Sequence, residues 1–250
     1  MIEISHLGKT YGSLTAVDDL SLRVEEGEIY GFLGPNGAGK TTTIKILTGL
    51  LLPTSGSARI AGFDVVKESL QAKRITALIP DRPYLYEKLT PLEFLRFIAG
   101  LYRLDPKDSE RRAMEYLELF GLIPWKDELL EGFSHGMKQK VVMSGALLPN
   151  PRVLVIDEPM VGLDPQSAKL VKELFQRLSR KGTTLLLSTH TLEIAEKLCN
   201  RIGILLHGRL IAEGTMPQLR EKVRRNEGDL ETLFLELTGG YEVEQLLKDF

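Results

Sequence analysis

Three short apolar runs without alternation, over 28–33, 153–156 and 184–187, read as strands covered on both faces. They run into Gly34, Asp157 and Ser188, so each ends on a glycine or a polar residue. Open α/β sheets bind ligands beyond the carboxyl ends of such strands, which predicts three candidate site loops on one edge. Residues 1–23 alternate apolar with polar instead, as does 57–60, and this predicts antiparallel strands. Strand runs interleaved with helix-period segments make the expected class α/β with a largely parallel central sheet.

Between 88 and 150 the texture turns helical. Thr90-Pro91-Leu92-Glu93 is a capping box with proline at the first helical position, so a helix is expected to start there. Leu92, Leu95, Phe97, Ile98 and Leu101 are its expected apolar face. A second helix is predicted over 111–120, closed by Gly121. The block interrupts two sheet-forming regions, as an inserted subdomain would. The expected organisation is a core over 1–87 with its antiparallel part, a helical subdomain over 88–150, the rest of the core over 151–215, and a helical tail over 216–250.

Composition narrows the setting. A chain of 250 residues with 43% hydrophobic and 26% charged residues can bury a substantial core. Thirty-two basic against 34 acidic residues leave a net charge of −2, without the basic balance of a general nucleic-acid binder, so no nucleic acid is expected as a partner. The single cysteine, Cys199, makes no internal disulfide and fits a reducing compartment, where it reads as a small buried residue on a helix. The first residues lack the pattern of a signal peptide. No run approaches the ~20 apolar residues of a membrane span. Any membrane role is therefore expected to come through a partner, with the protein cytoplasmic and peripheral.

The chemistry gathers at the strand ends. Gly34-Pro35-Asn36-Gly37-Ala38-Gly39-Lys40-Thr41 fits the pattern G-x-x-x-x-G-K-[ST], between a predicted strand and a helix expected over 42–50. Glycines let backbone N–H groups turn inward around phosphate oxygens, and the helix adds its positive N-terminal end. Lys40 then suits the β- and γ-phosphates, and Thr41 offers a hydroxyl to Mg2+. The strand ending Ile156-Asp157-Glu158 puts two acids where a buried strand stops. Alone, this is as readily a solvated strand end. Beside a phosphate loop, Asp157 suits the Mg2+ shell and Glu158 a base or water-orienting role. After the third strand, Ser188-Thr189-His190 could bring an imidazole to a γ-phosphate, although by spacing alone His190 is more often a capping or packing residue.

Phe133-Ser134-His135-Gly136-Met137-Lys138-Gln139, just before a predicted helix, resembles the L-S-G-G-Q segment of ABC ATPases. Gly162-Leu163-Asp164 looks like the family's D-loop, His190 falls at its switch histidine, and Tyr11 lies where the family stacks an aromatic ring on adenine, with Val17 close behind. The resemblance covers essentially the whole chain. It implies a P-loop NTPase core with an N-terminal antiparallel β-subdomain and an inserted α-helical subdomain, and a Mg2+-dependent ATPase. It implies that ATP is held by Tyr11, Val17, the residues from Gly34 to Thr41 and Thr42, with Ser134 and Gly136 capping the ATP of a second cassette. Glu158 and His190 would be catalytic, and Thr41, Asp157 and Asp81 would face the metal.

Three departures stand out. His135 replaces the first glycine of the signature and Met137 its glutamine, while Ser134 and Gly136, which carry the phosphate contacts, remain. Asp81, in Ile79-Pro80-Asp81, stands where the family usually has glutamine, and the shorter charged side chain puts direct metal contact in doubt. The ending 229–239 and the stretch 84–91 are similar to the drug, antibiotic and sodium exporter branch. That similarity implies a separate transmembrane permease subunit, a short helix of which enters a groove that Tyr84, Leu85, Tyr86 and Phe94 could line; each could equally be core. The alternative is a soluble ABC ATPase for assembly or repair, such as iron–sulfur cluster assembly. A degenerate module that binds nucleotide without hydrolysis is disfavoured by the intact Lys40, Asp157 and Glu158.

Overall fold

The computed structural model describes residues 1–189, 191–222 and 229–238. The alternating N-terminal stretch forms β1 (Ile2–Tyr11) and β2 (Leu14–Val24), which pair antiparallel. With β4 (Ser55–Ile60) and β5 (Phe63–Asp64) they make a four-stranded sheet ordered β2-β1-β4-β5. The apolar runs form β3 (Ile29–Leu33), β7 (Val153–Asp157) and β8 (Thr184–Ser188), every residue of which is buried. Together with β6 (Thr76–Ile79), β9 (Arg201–Leu206) and β10 (Arg209–Gly214) they build a second sheet ordered β10-β9-β3-β8-β7-β6. It is parallel except for the antiparallel edge strand β10.

Strand side chains alternate between faces, and the core divides accordingly. From β7, Val153 and Val155 point into a layer shared with the antiparallel sheet and α1 (Lys40–Leu47). Leu154 and Ile156 point the other way, into a layer shared with the helical block and α6 (Pro165–Arg180). The chain leaves the sheet after β6, runs through α3 (Pro91–Leu101), α4 (Pro106–Leu119) and α5 (His135–Leu147), and returns beside β6 as β7. Between β5 and β6 lies α2 (Ser69–Ile75). A third apolar cluster packs α7 (Leu192–Leu198), α8 (Met216–Lys222) and α9 (Leu230–Thr238) beside β9 and β10.

Several boundaries differ from expectation. The buried residues of α3 are Pro91, Leu92, Phe94, Leu95 and Ala99, whereas Phe97 and Leu101 are exposed at 39% and 63%. A step from 92 to 97 is five residues, about 140° around a helix, so Phe97 leaves the buried stripe. Helix α4 starts at Pro106, not 111, because Asp105 caps it by accepting from the Asp108 N–H at 2.8 Å. That cap is as local as the one at Thr90, but the charged first turns of α4 hide the apolar period. Gly121 follows α4 with φ +68, the left-handed conformation that glycine adopts without strain.

The capping box of α3 is complete: Thr90 Oγ1 accepts from the Glu93 N–H at 3.2 Å, and the Thr90 N–H donates to Glu93 Oε2 at 2.9 Å. Thr90→Ala is expected to lower unfolding free energy by about 1 kcal/mol. The check is the denaturant midpoint at an unchanged m-value.

Candidate functional site

Three adjacent strands of the large sheet, β3, β8 and β7, deliver their carboxyl ends to one corner. From β3 the chain enters the glycine loop and then α1. A Cβ on Gly34 would stand 2.5 Å from the Leu205 carbonyl oxygen, and one on Gly39 would collide with that of Ala16. The loop thus threads between β9 and β2, where only glycine fits. Gly37 and Gly39 also have φ values of +81 and +103. Gly39 is the N-cap of α1, so the helix begins at Lys40 rather than at 42, and its N-terminal amides open onto the loop.

Lys40 folds back over that loop. Its Nζ donates to the carbonyls of Gly34 at 2.6 Å and Pro35 at 3.0 Å, and the residue is buried. Desolvation holds its ammonium pKa below the ordinary lysine value, while Glu158 and Asp157 act against that shift. Thr41 Oγ1 donates to Asp157 Oδ2 at 3.2 Å, which joins the loop to the end of β7 across 116 residues. Next, Glu158 leaves the strand with φ +50, its N–H donating to the Ser188 carbonyl at 2.9 Å. Its Oε2 accepts from Thr189 Oγ1 at 3.1 Å, and that hydroxyl in turn accepts from the Thr191 N–H at 3.0 Å. Thr189 is buried and positions Glu158, a role that its place after a strand did not signal.

Two of the cavities that flank this corner reach Tyr11 and Asp81. One, of about 300 Å3, is bounded by Asn36 to Thr42 and by Tyr11, Leu14, Thr15 and Ala16. Tyr11 is half exposed, and Lys9 Nζ sits 5.1 Å from its ring centroid. Val17, expected beside adenine, is not there: its side chain is fully buried in the layer between the sheets. Leu14, Thr15 and Ala16 line the cavity instead, and Ala16, next to Val17 on β2, faces the opposite way from it.

The other cavity, of about 600 Å3, lies between core and helical block and is lined by Thr41, Asp81, Tyr84, Phe94, Tyr102 and Asp157 among others. Asp81 therefore shares a cavity with the hydrogen-bonded pair Thr41 and Asp157. Of the expected groove residues, Tyr84 and Phe94 line it, Leu85 packs on the core, and Tyr86 meets Phe97 edge-on at 5.3 Å. Ser134 caps α5, its Oγ accepting from the Met137 N–H at 3.3 Å, and neither Ser134 nor Gly136 lines either cavity. His190 lies outside the described residues.

Among the described residues no group of three or more His, Cys, Asp or Glu side chains could hold a metal by itself. The hydroxyl–carboxylate pair Thr41–Asp157 fits Mg2+ nonetheless, because that ion is usually held by one or two protein oxygens and completes its shell with phosphate and water. The glycine cradle and the buried ammonium fit the phosphates themselves.

A protein-family model described as ABC transporter matches residues 17–161. The chain is 39% identical to the linearmycin resistance ATP-binding protein LnrL of Bacillus subtilis (strain 168) over 219 residues, covering 88% of this chain and 70% of that one. A solved ATP-binding subunit of an ABC transporter superposes with a TM-score of 0.91 at 37% identity, covering 95% of this chain and 99% of that one. The ATP-binding cassette MJ0796, solved as a dimer in a post-hydrolysis state with ADP and Pi, superposes with a TM-score of 0.80 at 26% identity, covering 86% and 99%. The chain therefore belongs to the ABC transporter family, and within it resembles the ATP-binding subunits of the resistance and export branch.

Proposed function

We propose that this chain is the Mg2+-dependent ATPase of an exporter, driving a separate transmembrane permease subunit through ATP-dependent pairing of two cassettes. The observation that carries this reading is the convergence of Lys40, Thr41, Asp157 and Glu158 at the ends of two strands and the first turn of one helix. Similarity to a resistance protein supports outward transport, and similarity to a dimeric cassette with ADP and Pi supports paired hydrolysis.

In this mechanism the amides of Gly37 to Thr42 and the Lys40 ammonium bind the phosphates, and Tyr11 stacks on the base. Mg2+ held by Thr41 and Asp157 would neutralise phosphate charge and orient the γ-phosphoryl group. Glu158 accepts a proton from, or orients, the attacking water, with Thr189 fixing its carboxylate. Ser134 and Gly136 complete the site of the partner cassette from the N-terminus of α5, where the Ser134 hydroxyl keeps its proton to donate. His190 senses the γ-phosphate. The block 88–150 acts as a subdomain, and the 600 Å3 cavity beside it receives a permease helix on Tyr84 and Phe94.

Among the described residues no helix is long and apolar enough to cross a membrane. A peripheral position on the cytoplasmic face therefore depends on the permease. Affinity capture from detergent-solubilised native membranes is expected to return a stoichiometric membrane-spanning subunit, and its absence would sink the transporter reading. If Asp81 serves coupling across the cavity, Asp81→Gln is expected to leave ATP affinity in calorimetry nearly unchanged. A large loss would give Asp81 a direct role on the metal.

A further inference from the structure

We infer that His135 is a positioning residue that joins the first turn of α5 to the loop following Glu158, so that the two phosphate sites this chain serves move together. This rests on the reading above, in which 134–136 caps the ATP of a second cassette while Glu158 acts on the ATP held at Lys40.

The contact is built from both sides. Gly162 lies in the loop after Glu158 with φ +76, and the His135 ring fills the space where its side chain would stand. A Cβ placed on Gly162 would collide with His135 Cδ2 and lie 3.2 Å from Nε2. Next to it, a Cβ on Gly136 would stand 2.5 Å from the Gly162 carbonyl oxygen, so the two backbones approach as closely as glycines allow. One turn further along α5, Lys140 Nζ lies 3.7 Å from Asp164 Oδ2. Asp164 itself caps α6, accepting from the Ser167 N–H at 2.9 Å.

The loop is thus anchored at its start by the Glu158 N–H on Ser188, at its end by the cap of α6, and in the middle by an imidazole. With glycine at 135, as in the family pattern, the middle anchor would be backbone against backbone alone. The ring adds dispersion contact and removes the room into which the 158–164 loop could shift. A displacement of the α5 first turn, where the partner's phosphate would be held, therefore reaches the residue that handles this chain's own water. His135 acts by packing, and phosphate contact stays with Ser134 and Gly136.

Two variants test this: His135→Gly, which removes the ring, and His135→Phe, which keeps a planar ring without ring nitrogens. Hydrogen exchange of the purified chain without nucleotide is read at the Met137 and Leu163 amides, which donate to Ser134 Oγ and the Met160 carbonyl. His135→Gly is expected to speed both ~5-fold, as a loss of local stability near 1 kcal/mol gives, while His135→Phe stays near the parent. In steady-state ATP hydrolysis, His135→Gly is expected to lower the Hill coefficient towards one with the half-saturating ATP concentration little changed, and His135→Phe to restore it.

Unchanged exchange at Leu163 in His135→Gly would overturn the latch. Loss of cooperativity in both variants alike would also overturn it, by assigning the ring nitrogens to phosphate. Altered exchange with an unchanged Hill coefficient would overturn the coupling. The exchange arm needs neither nucleotide nor a second cassette, so a failure of the paired-cassette reading shows separately, as an absence of ATP-induced pairing in the parent protein.

Discussion

Glu158→Gln is expected to abolish multiple turnover while trapping an ATP-bound pair of cassettes. The amide has nearly the shape of the carboxylate, and its oxygen can still accept the Thr189 hydroxyl that holds Glu158 Oε2 at 3.1 Å. The backbone bond from 158 to the Ser188 carbonyl does not involve the side chain. Binding geometry therefore survives. What disappears is basicity towards water, an effect of ~10²- to 10⁴-fold on the chemical step. A negative charge near the phosphates disappears too, which favours the ATP-bound state. Size-exclusion chromatography with ATP and Mg2+ should show the paired species, and single-turnover assays should show phosphate release slowed by at least the lower figure. Only monomer with ATP, or turnover near that of the parent, would mean that Glu158 is misassigned.

The features that made this prediction possible were legible in the sequence because they are local. A strand, a glycine loop and a helix occupy 28–47 without a break, and the loop's chemistry is written in consecutive residues. The capping box at Thr90 is equally local. What sequence could not give was register and distant packing. The resemblance places Val17 near the base, yet Val17 is fully buried between the sheets while its neighbour Ala16 lines the cavity. One residue along a strand is the difference between core and site. The edge strand β10 carries no strand signal of its own because only three apolar residues stand between Arg209 and Glu213, and its pairing with β9 is decided by a turn at His207 and Gly208. Likewise, the approach of Gly136 to Gly162 joins residues with a whole strand between them. Thr189 gave no motif at all: its role exists only because β7 and β8 are neighbours, with Asp157 beside Ser188.

Lys40→Ala carries the second large effect, and its sign follows from burial. The Lys40 ammonium is desolvated and held by two carbonyls, and its pKa lies below the usual 10.5. Triphosphate would give it the anionic partner that Gly34 and Pro35 only approximate. Removing the charge is expected to weaken ATP binding by about 2–5 kcal/mol, or ~30- to 5,000-fold in Kd. The same linkage makes affinity depend on pH. Bound phosphate raises the Lys40 pKa, so the affinity is present in full below the free protein's lysine pKa and falls as pH climbs through it. The fall begins below 10.5 and ends where the bound lysine also loses its proton. In calorimetric titrations across that alkaline window the parent should lose affinity with rising pH, whereas Lys40→Ala should give a weak and nearly flat profile. A variant that kept the parent's slope would move the titrating group elsewhere, and a variant that kept the parent's affinity would remove Lys40 from the phosphate site altogether.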